Sequence, residues 1–371
     1  MDRRAEARVD LAAIERNAAR LRDGLTGGAA LCAVVKADGY GHGAVPAARA
    51  ALAGGATWLA VATAQEAAAL REAGLDARLL VMGALTPAEL AVALDARADV
   101  VAWREGFVVA LDRPARVHVK LDTGMGRLGT RDADEATRVA DAVAAAPHLE
   151  LAGAMTHFAT ADEPGDAFMP AQLERFLAWG GPLRERHPGL LLHAANSAAA
   201  LRDPASHFDL VRAGIALYGL DPFQRDPAEH GLQPALELRS YVAEVKPCAP
   251  EESAGYGRRF VARAPTTLAT VPIGYGDGVR RGLTNNADVL VGGRRRPLVG
   301  TVSMDNVTLD LGPDGGGVGH GDEAVLIGAQ GGERILAEEW ARRLETINYE
   351  ITCGISRRVP RVHHRDGAPA E

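Results

Sequence analysis

Between residues 31 and 219 the chain alternates short apolar runs with Ala-rich amphipathic stretches, eight runs in all. They are LCAVVKA (31–37), TWLAVAT (57–63), RLLVMGA (78–84), DVVAW (99–103), RVHVKLD (116–122), LELAGAMTHF (149–158), LLLHAAN (190–196) and DLVRAGIALYG (209–219). The stretches between them carry helix starts. Thr63-Ala-Gln-Glu66 and Thr86-Pro-Ala-Glu89 each set a capping hydroxyl three residues before a glutamate, and the second adds proline at the first helical position. Strict alternation of strand and helix implies parallel strands joined by helical crossovers. An open doubly wound sheet would keep the same alternation; eight repeats in this length fit a closed (β/α)8 TIM-type barrel better. The expected class is thus α/β, with a barrel over residues 1–233.

From residue 234 the rhythm changes. ALELRSYVAEVKP, TTLATVPIGY, DVLVGG, RRPLVGTVSM, NVTLDLG and DEAVLIGA are strand-like runs split by Gly, Pro and Asn/Asp turns, with one helix expected at 337–347. This predicts a mainly-β C-terminal domain over 234–371, with the boundary among the turn formers of HGLQP (230–234). The Gly-rich 313–321 reads as a hairpin loop, and the tail VHHRDGAPAE (362–371) as disordered.

Composition excludes several function classes. A net charge of −7 leaves no basic field for nucleic acid or an anionic membrane. No apolar run approaches the roughly 20 residues of a membrane helix, and the N-terminus lacks the apolar core of a secretory signal. Cys32, Cys248 and Cys353 form neither a CxxC pair nor an even disulfide framework, which points to the cytoplasm. No HExxH or Cys/His cluster suggests a metal, and His363-His364 in the tail does not supply one.

In a barrel of this kind the active site lies at the C-terminal ends of the strands. Lys36 ends the first run, Lys120 and Asp122 the fifth with Arg127 just beyond, His157 the sixth, and Asn196 and Ser197 the seventh; Arg212 lies within the eighth. Singly, each marks no more than where burial stops, but together they converge on one rim. Lys36 stands out: an ammonium at the end of an apolar strand, followed by a glycine-rich turn, is costly to bury and shifts toward the neutral amine that a Schiff base requires.

The segment AVVKADGYGHG (33–43) resembles the cofactor-lysine motif of alanine racemases. The resemblance continues in order through KLDTGMGRLG (120–129), THFATAD (156–162), HAANSAA (193–199), DLVRAGIALYG, GYGRRF (255–260), PIGYGDG (272–278), VGTVSMDNVTLDLG (299–312) and TINYEITCGISRRVPR (346–361). It implies that Lys36 carries pyridoxal 5′-phosphate (PLP) and acts as one base, with Tyr256 reaching the opposite face of the amino acid from a partner subunit. Tyrosine, with an ordinary pKa near 10, is a poor base unaided, and His157 is the family's contact for it. By the same resemblance Arg212 is expected to face the pyridine nitrogen, and Tyr40, Asn196, Ser197, Gly214, Ile215 and Tyr349 to complete the cofactor site. Arg127 meets the substrate carboxylate, and Met304 and Asp305 line the pocket from the partner. Tyr275, Arg281 and Tyr349 guard the entrance.

Lys120 matches a lysine that is carbamylated in many relatives, the alternative being an unmodified Lys120 paired with Asp122. The implied protein is a homodimer with shared sites, acting on alanine and supplying D-alanine for peptidoglycan. A second enzyme reading with the same fold and cofactor is a barrel-type amino-acid decarboxylase or a broad-specificity racemase; the decarboxylase would not need Tyr256 as a base. A non-catalytic PLP-binding protein would resemble the barrel alone, and a regulator would need a basic or aromatic surface absent here.

Overall fold

The computed structural model describes residues 3–370. Two compact units emerge: Ile14–Leu217 with His230–Leu232 form one, and the chain before Ile14, Tyr218–Glu229 and the chain from Gln233 form the other. The first strand, β1 (Ala5–Asp10), belongs to the second unit.

The first unit is the expected barrel. Its strands are β2 (Ala30–Val34), β3 (Trp58–Val61), β4 (Arg78–Val81), β5 (Asp99–Ala102), β6 (Ala115–Lys120), β7 (Leu149–Met155), β8 (Leu191–His193) and β9 (Leu210–Ala213). They pair in parallel in the order β8-β7-β6-β5-β4-β3-β2-β9. Backbone bonds from Asp209 N to Leu192 O (3.1 Å) and from Arg212 N to Ala195 O (3.0 Å) bridge β8 and β9, closing the ring. Each of the eight apolar runs coincides with one of these strands, β2 and β6 starting one residue before theirs. β3 and β5 are buried along their whole length, as strands covered on both faces must be. Both expected capping boxes form: Thr63 and Thr86 accept from the amides of Glu66 and Glu89, whose carboxylates reach back, and the helices Ala64–Glu72 and Pro87–Asp95 follow.

In the second unit the strands are β10 (Leu236–Tyr241), β11 (Glu244–Cys248), β12 (Ser253–Ala254), β13 (Phe260–Val261), β14 (Thr266–Val271), β15 (Asp288–Val291), β16 (Arg294–Val299), β17 (Val307–Gly312), β18 (Glu323–Gln330), β19 (Glu333–Ile335), β20 (Arg361–Arg365) and β21 (Ala368–Pro369). Most join one sheet in the order β11-β14-β17-β16-β15-β18-β10-β1-β20-β21, with β19 against β18, while β12 and β13 form a separate hairpin.

Three expectations change here. The opening residues do not belong with the barrel: β1 pairs antiparallel with β10, Ala7 opposite Leu238, and parallel with β20. The tail is ordered as far as Ala370, because β20 takes up the other edge of β1 and turns back into β21 through Asp366-Gly367; Glu371 lies outside the described residues. Residues 313–321 are no hairpin loop: β17 lies between β14 and β16, whereas β18 pairs with β10, β15 and β19. The helix expected at 337–347 spans Ala337–Arg343, and a second, Asn348–Cys353, follows it.

Candidate active site

At one mouth of the barrel the strand ends bring Lys36, Lys120, His157, Asn196, Ser197 and Arg212 together. β2 runs through Val35 into Lys36, and the next four residues wind left-handed, with φ of 52° at Ala37, 53° at Asp38, 61° at Gly39 and 54° at Tyr40. Each L-residue in that region costs about 1–2 kcal/mol, so the surroundings must hold it there. Ala37 N donates to Glu66 Oε1 at 2.6 Å, and Ala44 N donates to Asp38 Oδ1 at 2.9 Å. Glu66 is the capping-box glutamate, accepting from Thr63 N at 3.1 Å. One carboxylate therefore helps start the helix Ala64–Glu72 and fixes the backbone beside Lys36.

The turn carries Tyr40, buried, against Gly214. A Cβ on Gly214 would lie 2.3 Å from Tyr40 Oη, so only glycine leaves the hydroxyl room. Ser197 Oγ accepts from Gly214 N at 2.9 Å and from Ala216 N at 3.4 Å. Asn196 caps the helix Ser197–Arg202 through Ala199 N at 3.0 Å. Tyr40, Ser197 and the backbone of Gly214 and Ile215 thus form one small cradle of hydroxyls and amides.

Arg212 is held on every side. Its Nη2 donates to Thr156 O (2.8 Å) and Ala194 O (3.0 Å) and lies 3.3 Å from His157 Nδ1; its Nη1 lies 2.7 Å from His193 Nδ1. None of these bonds engages Nε. Burial lowers Arg212 to about 10, still protonated at neutral pH. A guanidinium only donates, so both imidazoles accept at Nδ1. Burial, then the cations Arg212, Lys120, Arg127 and Lys36, hold His157 well below the usual histidine range. It is neutral, with its proton on Nε2.

Lys120, buried at the end of β6, is lowered to about 8 by burial and by Arg212, Arg127 and Lys36, against the pull of Asp122. Asp122 does not pair with it. Its carboxylate accepts from Gly124 N at 3.1 Å and Gly126 N at 3.0 Å and faces Arg131 Nε at 3.3 Å. Those partners keep it ionised although burial works the other way. Arg127 is exposed on the loop beyond. The mouth is rich in cations, which suits an anionic ligand.

The remaining expected residues lie in the second unit. Tyr256 sits at the tip of the β12–β13 hairpin, its carbonyl accepting from Thr301 Oγ1 at 2.6 Å. The loops carrying Tyr275 and Met304 are zipped together by Tyr275 N to Ser303 O and Gly276 N to Met304 O, both 2.9 Å. Asp305 is paired with Arg358 at 2.6 Å. Arg281 is exposed. Tyr349 is half-buried on Asn348–Cys353, a helix pinned by Asn348 Nδ2 donating to Asp221 O and Glu338 Oε1.

Sequence reasoning missed three residues. Glu66 was read only as a cap. His118 and His193 were passed over inside their strands, although His118 stands two residues before Lys120 and so shares its strand face.

These features define a TIM-type barrel with an appended β unit and a strand-end site centred on a lysine and a buried arginine. Residues 9–222 match the family model of the alanine racemase N-terminal domain, and residues 235–363 that of the alanine racemase C-terminal domain. The chain is 45% identical to the alanine racemase of Symbiobacterium thermophilum over 368 residues, 96% of each chain. It is 45% identical to that of Thermobifida fusca, covering 97% of this chain and 98% of the other. Among solved structures, alanine racemase from E. faecalis superposes with a TM-score of 0.92 at 37% identity, covering 98% of each chain. That of Streptomyces coelicolor gives 0.90 at 42% identity, covering 97% of each. The chain belongs to the alanine racemase family, a family of isomerases.

Proposed function

We propose that this chain interconverts L- and D-alanine with PLP, using Lys36 and Tyr256 as bases on opposite faces of Cα. The carrying observation is the barrel mouth, where the lysine turn delivers Tyr40 onto Gly214 beside Ser197 and in reach of several cations. The residues present fit the cofactor. The cradle that a Cβ on Gly214 would fill suits a phosphate, and the Nε edge of Arg212 suits a ring nitrogen that only accepts. When bound, PLP supplies an electron-withdrawing ring that acidifies the Cα–H of the attached amino acid.

The chain's own groups do the rest. Tyr40, Ser197, Gly214 and Ile215, with Asn196 and Tyr349, hold the phosphate end. Arg212, permanently charged, disfavours a proton on the ring nitrogen opposite it. The Lys36 amine removes or returns a proton on one face of Cα, and the Tyr256 hydroxyl of the partner subunit serves the other. Neutral His157, with Nδ1 accepting from Arg212, offers Nε2–H to that phenolic oxygen. Arg127 meets the substrate carboxylate as a fork, with Lys120, carbamylated, holding it in place. Met304 and Asp305 of the partner line the pocket, and Tyr275, Arg281 and Tyr349 narrow its entrance. A narrow aromatic-walled pocket favours a methyl side chain, with some leakage to serine.

The assembly is a homodimer with two shared sites, and the enzyme is cytoplasmic and supplies D-alanine to peptidoglycan. Among the described residues no helix is long and apolar enough to cross a membrane. The test is incubation with PLP and L-alanine in D2O, following both enantiomers and the Cα deuterium. Near-equal L- and D-alanine with deuterated Cα is expected; release of CO2 or pyruvate instead, or cofactor binding without turnover, would overturn the reading.

A further inference from the structure

TIM-barrel interiors are ordinarily filled with branched aliphatic side chains. In this one a string of polar groups crosses the interior behind Arg212. His193 Nε2 lies 2.8 Å from His118 Nδ1, and His118 Nε2 lies 3.2 Å from Asp99 Oδ2. Asp99 then accepts from Arg116 Nε at 2.8 Å and from Arg78 Nε at 3.2 Å. His118, His193 and Asp99 are fully buried.

The string is built into the sheet. A Cβ on Gly153 would stand 2.3 Å from His118 Nδ1. The β6–β7 register shifts between Val117 and His118, as a bulge does where a side chain is re-aimed. Trp58 meets His118 edge-on at 5.8 Å, and the Arg78 guanidinium covers the Trp58 ring at 4.1 Å.

Only one arrangement of protons satisfies these contacts. Arg212 Nη1–H donates to His193 Nδ1, so neutral His193 carries its proton on Nε2 and donates to His118 Nδ1. His118 then carries its own proton on Nε2 and donates to Asp99. Both imidazoles are neutral: burial holds His193 well down, and outweighs Asp99 at His118. His118, then Arg116, in turn keeps Asp99 ionised against its burial. Cys32, opposite Arg212 in the β2–β9 register, is pushed up to about 12 by burial and adds no charge.

We propose that Asp99 and His118 are positioning residues for Arg212: through His193 they fix the direction in which its guanidinium faces the cofactor ring. The role rests on the assignment of Arg212 to that ring. Without an acceptor at position 118, the buried Nε2–H of His193 is left unpaired, which is costly. The His193 ring then turns in search of another acceptor, and the guanidinium bonded to its Nδ1 at 2.7 Å is drawn off its line with it.

The experiment compares wild-type holoenzyme with His118→Leu and His118→Gln, labelled with 15N-histidine. Glutamine can accept from His193 through its oxygen and donate to Asp99 through its nitrogen; leucine can do neither. The wild type is expected to show His193 protonated on Nε2. In His118→Leu the His193 Nε2–H resonance shifts as its acceptor is lost, the PLP dissociation constant rises about tenfold, and kcat falls about tenfold with KM for alanine within about twofold, as when one orienting hydrogen bond is removed. His118→Gln restores all three. A wild-type His193 protonated on Nδ1 overturns the inference outright, even if His118→Leu does not fold. A folded His118→Leu with unchanged affinity and kcat overturns it too, as does failure of His118→Gln to rescue. A wild type that does not racemise alanine defeats the proposed function, while the tautomer spectra still decide the string.

Discussion

The two units hold their proposed site residues in opposite ways. In the barrel, Lys120, Ser197 and Arg212 are 4%, 3% and 3% exposed, and Ser197 and Arg212 are bonded to neighbouring strand ends. In the β unit, Tyr256 is 73% exposed and Met304 52%, on loops whose backbones are nonetheless tied down. A fixed backbone presenting a large, solvated side chain is a surface prepared for something else. Lys120, Ser197 and Arg212 are enclosed within their own unit, whereas Tyr256 and Met304 are presented outward, as the proposed sharing of a site between two chains requires.

The largest effects separate the two sides. Lys36→Ala is expected to cut L-to-D conversion by about 10^4-fold or more, and Tyr256→Phe by roughly 10^2–10^4-fold. Neither alone tells which chain Tyr256 serves. Mixing the two inactive proteins under conditions of subunit exchange does. If sites are shared, half of the dimers become mixed, each with one intact site, and about a quarter of wild-type activity returns. Recovery of nothing from exchanging chains would place Tyr256 and Lys36 in the same subunit and break the comparison.

A smaller contrast comes from steric change on each side. Gly214→Ala puts a methyl group where Tyr40 Oη stands 2.3 Å away, and is expected to weaken PLP binding by about 2 kcal/mol, roughly thirtyfold. Met304→Ala, on a solvated loop, should change unfolding free energy by less than about 0.5 kcal/mol and act on KM for alanine instead. Cofactor titration, denaturant unfolding and steady-state kinetics on both variants check this. Equal effects on cofactor binding would mean that burial does not mark the cofactor side.

What the sequence showed and what it hid follow one physical line. The barrel strands were legible because eight apolar runs and two capping boxes are local signals, and Lys36 because its flanking turn is local too. The β1 strand alternates as cleanly: Ala5, Ala7 and Val9 are buried while Glu6, Arg8 and Asp10 are less so. Its partners, however, are more than 200 residues away in sequence, and no local pattern names them. The tail held a readable signal that was passed over. Asp366-Gly367, with φ of 48° and 89°, is the dipeptide of a tight hairpin turn. His118 and His193 were invisible as a pair, since their meeting depends on β6–β8 register and on the missing side chain of Gly153.

The finest discrimination concerns Lys120, buried like the rest of the barrel site yet without a carboxylate to balance it. An amine at about 8 rather than its ordinary 10.5 destabilises the folded chain by about 3 kcal/mol at neutral pH, order of magnitude only. The sign is set by which state holds the proton. Below about pH 8 both states are protonated and the penalty is complete. Between about 8 and 10.5 the folded state has lost a proton that the unfolded state keeps, so stability rises with pH. Reaction of the neutral amine with CO2 forms an N–C bond, releases a proton and leaves a carbamate anion among Arg127, Arg212 and Lys36, removing the titration altogether. In CO2-free buffer, denaturant unfolding should therefore show stability climbing through that window, and in bicarbonate the climb should flatten. A carbamate carbon signal from 13C-bicarbonate, absent in Lys120→Gln, should accompany it. Identical pH profiles with no such signal would leave Lys120 an unmodified amine. The barrel mouth would then keep all its cations with no anion at position 120, and the substrate carboxylate itself would have to hold Arg127.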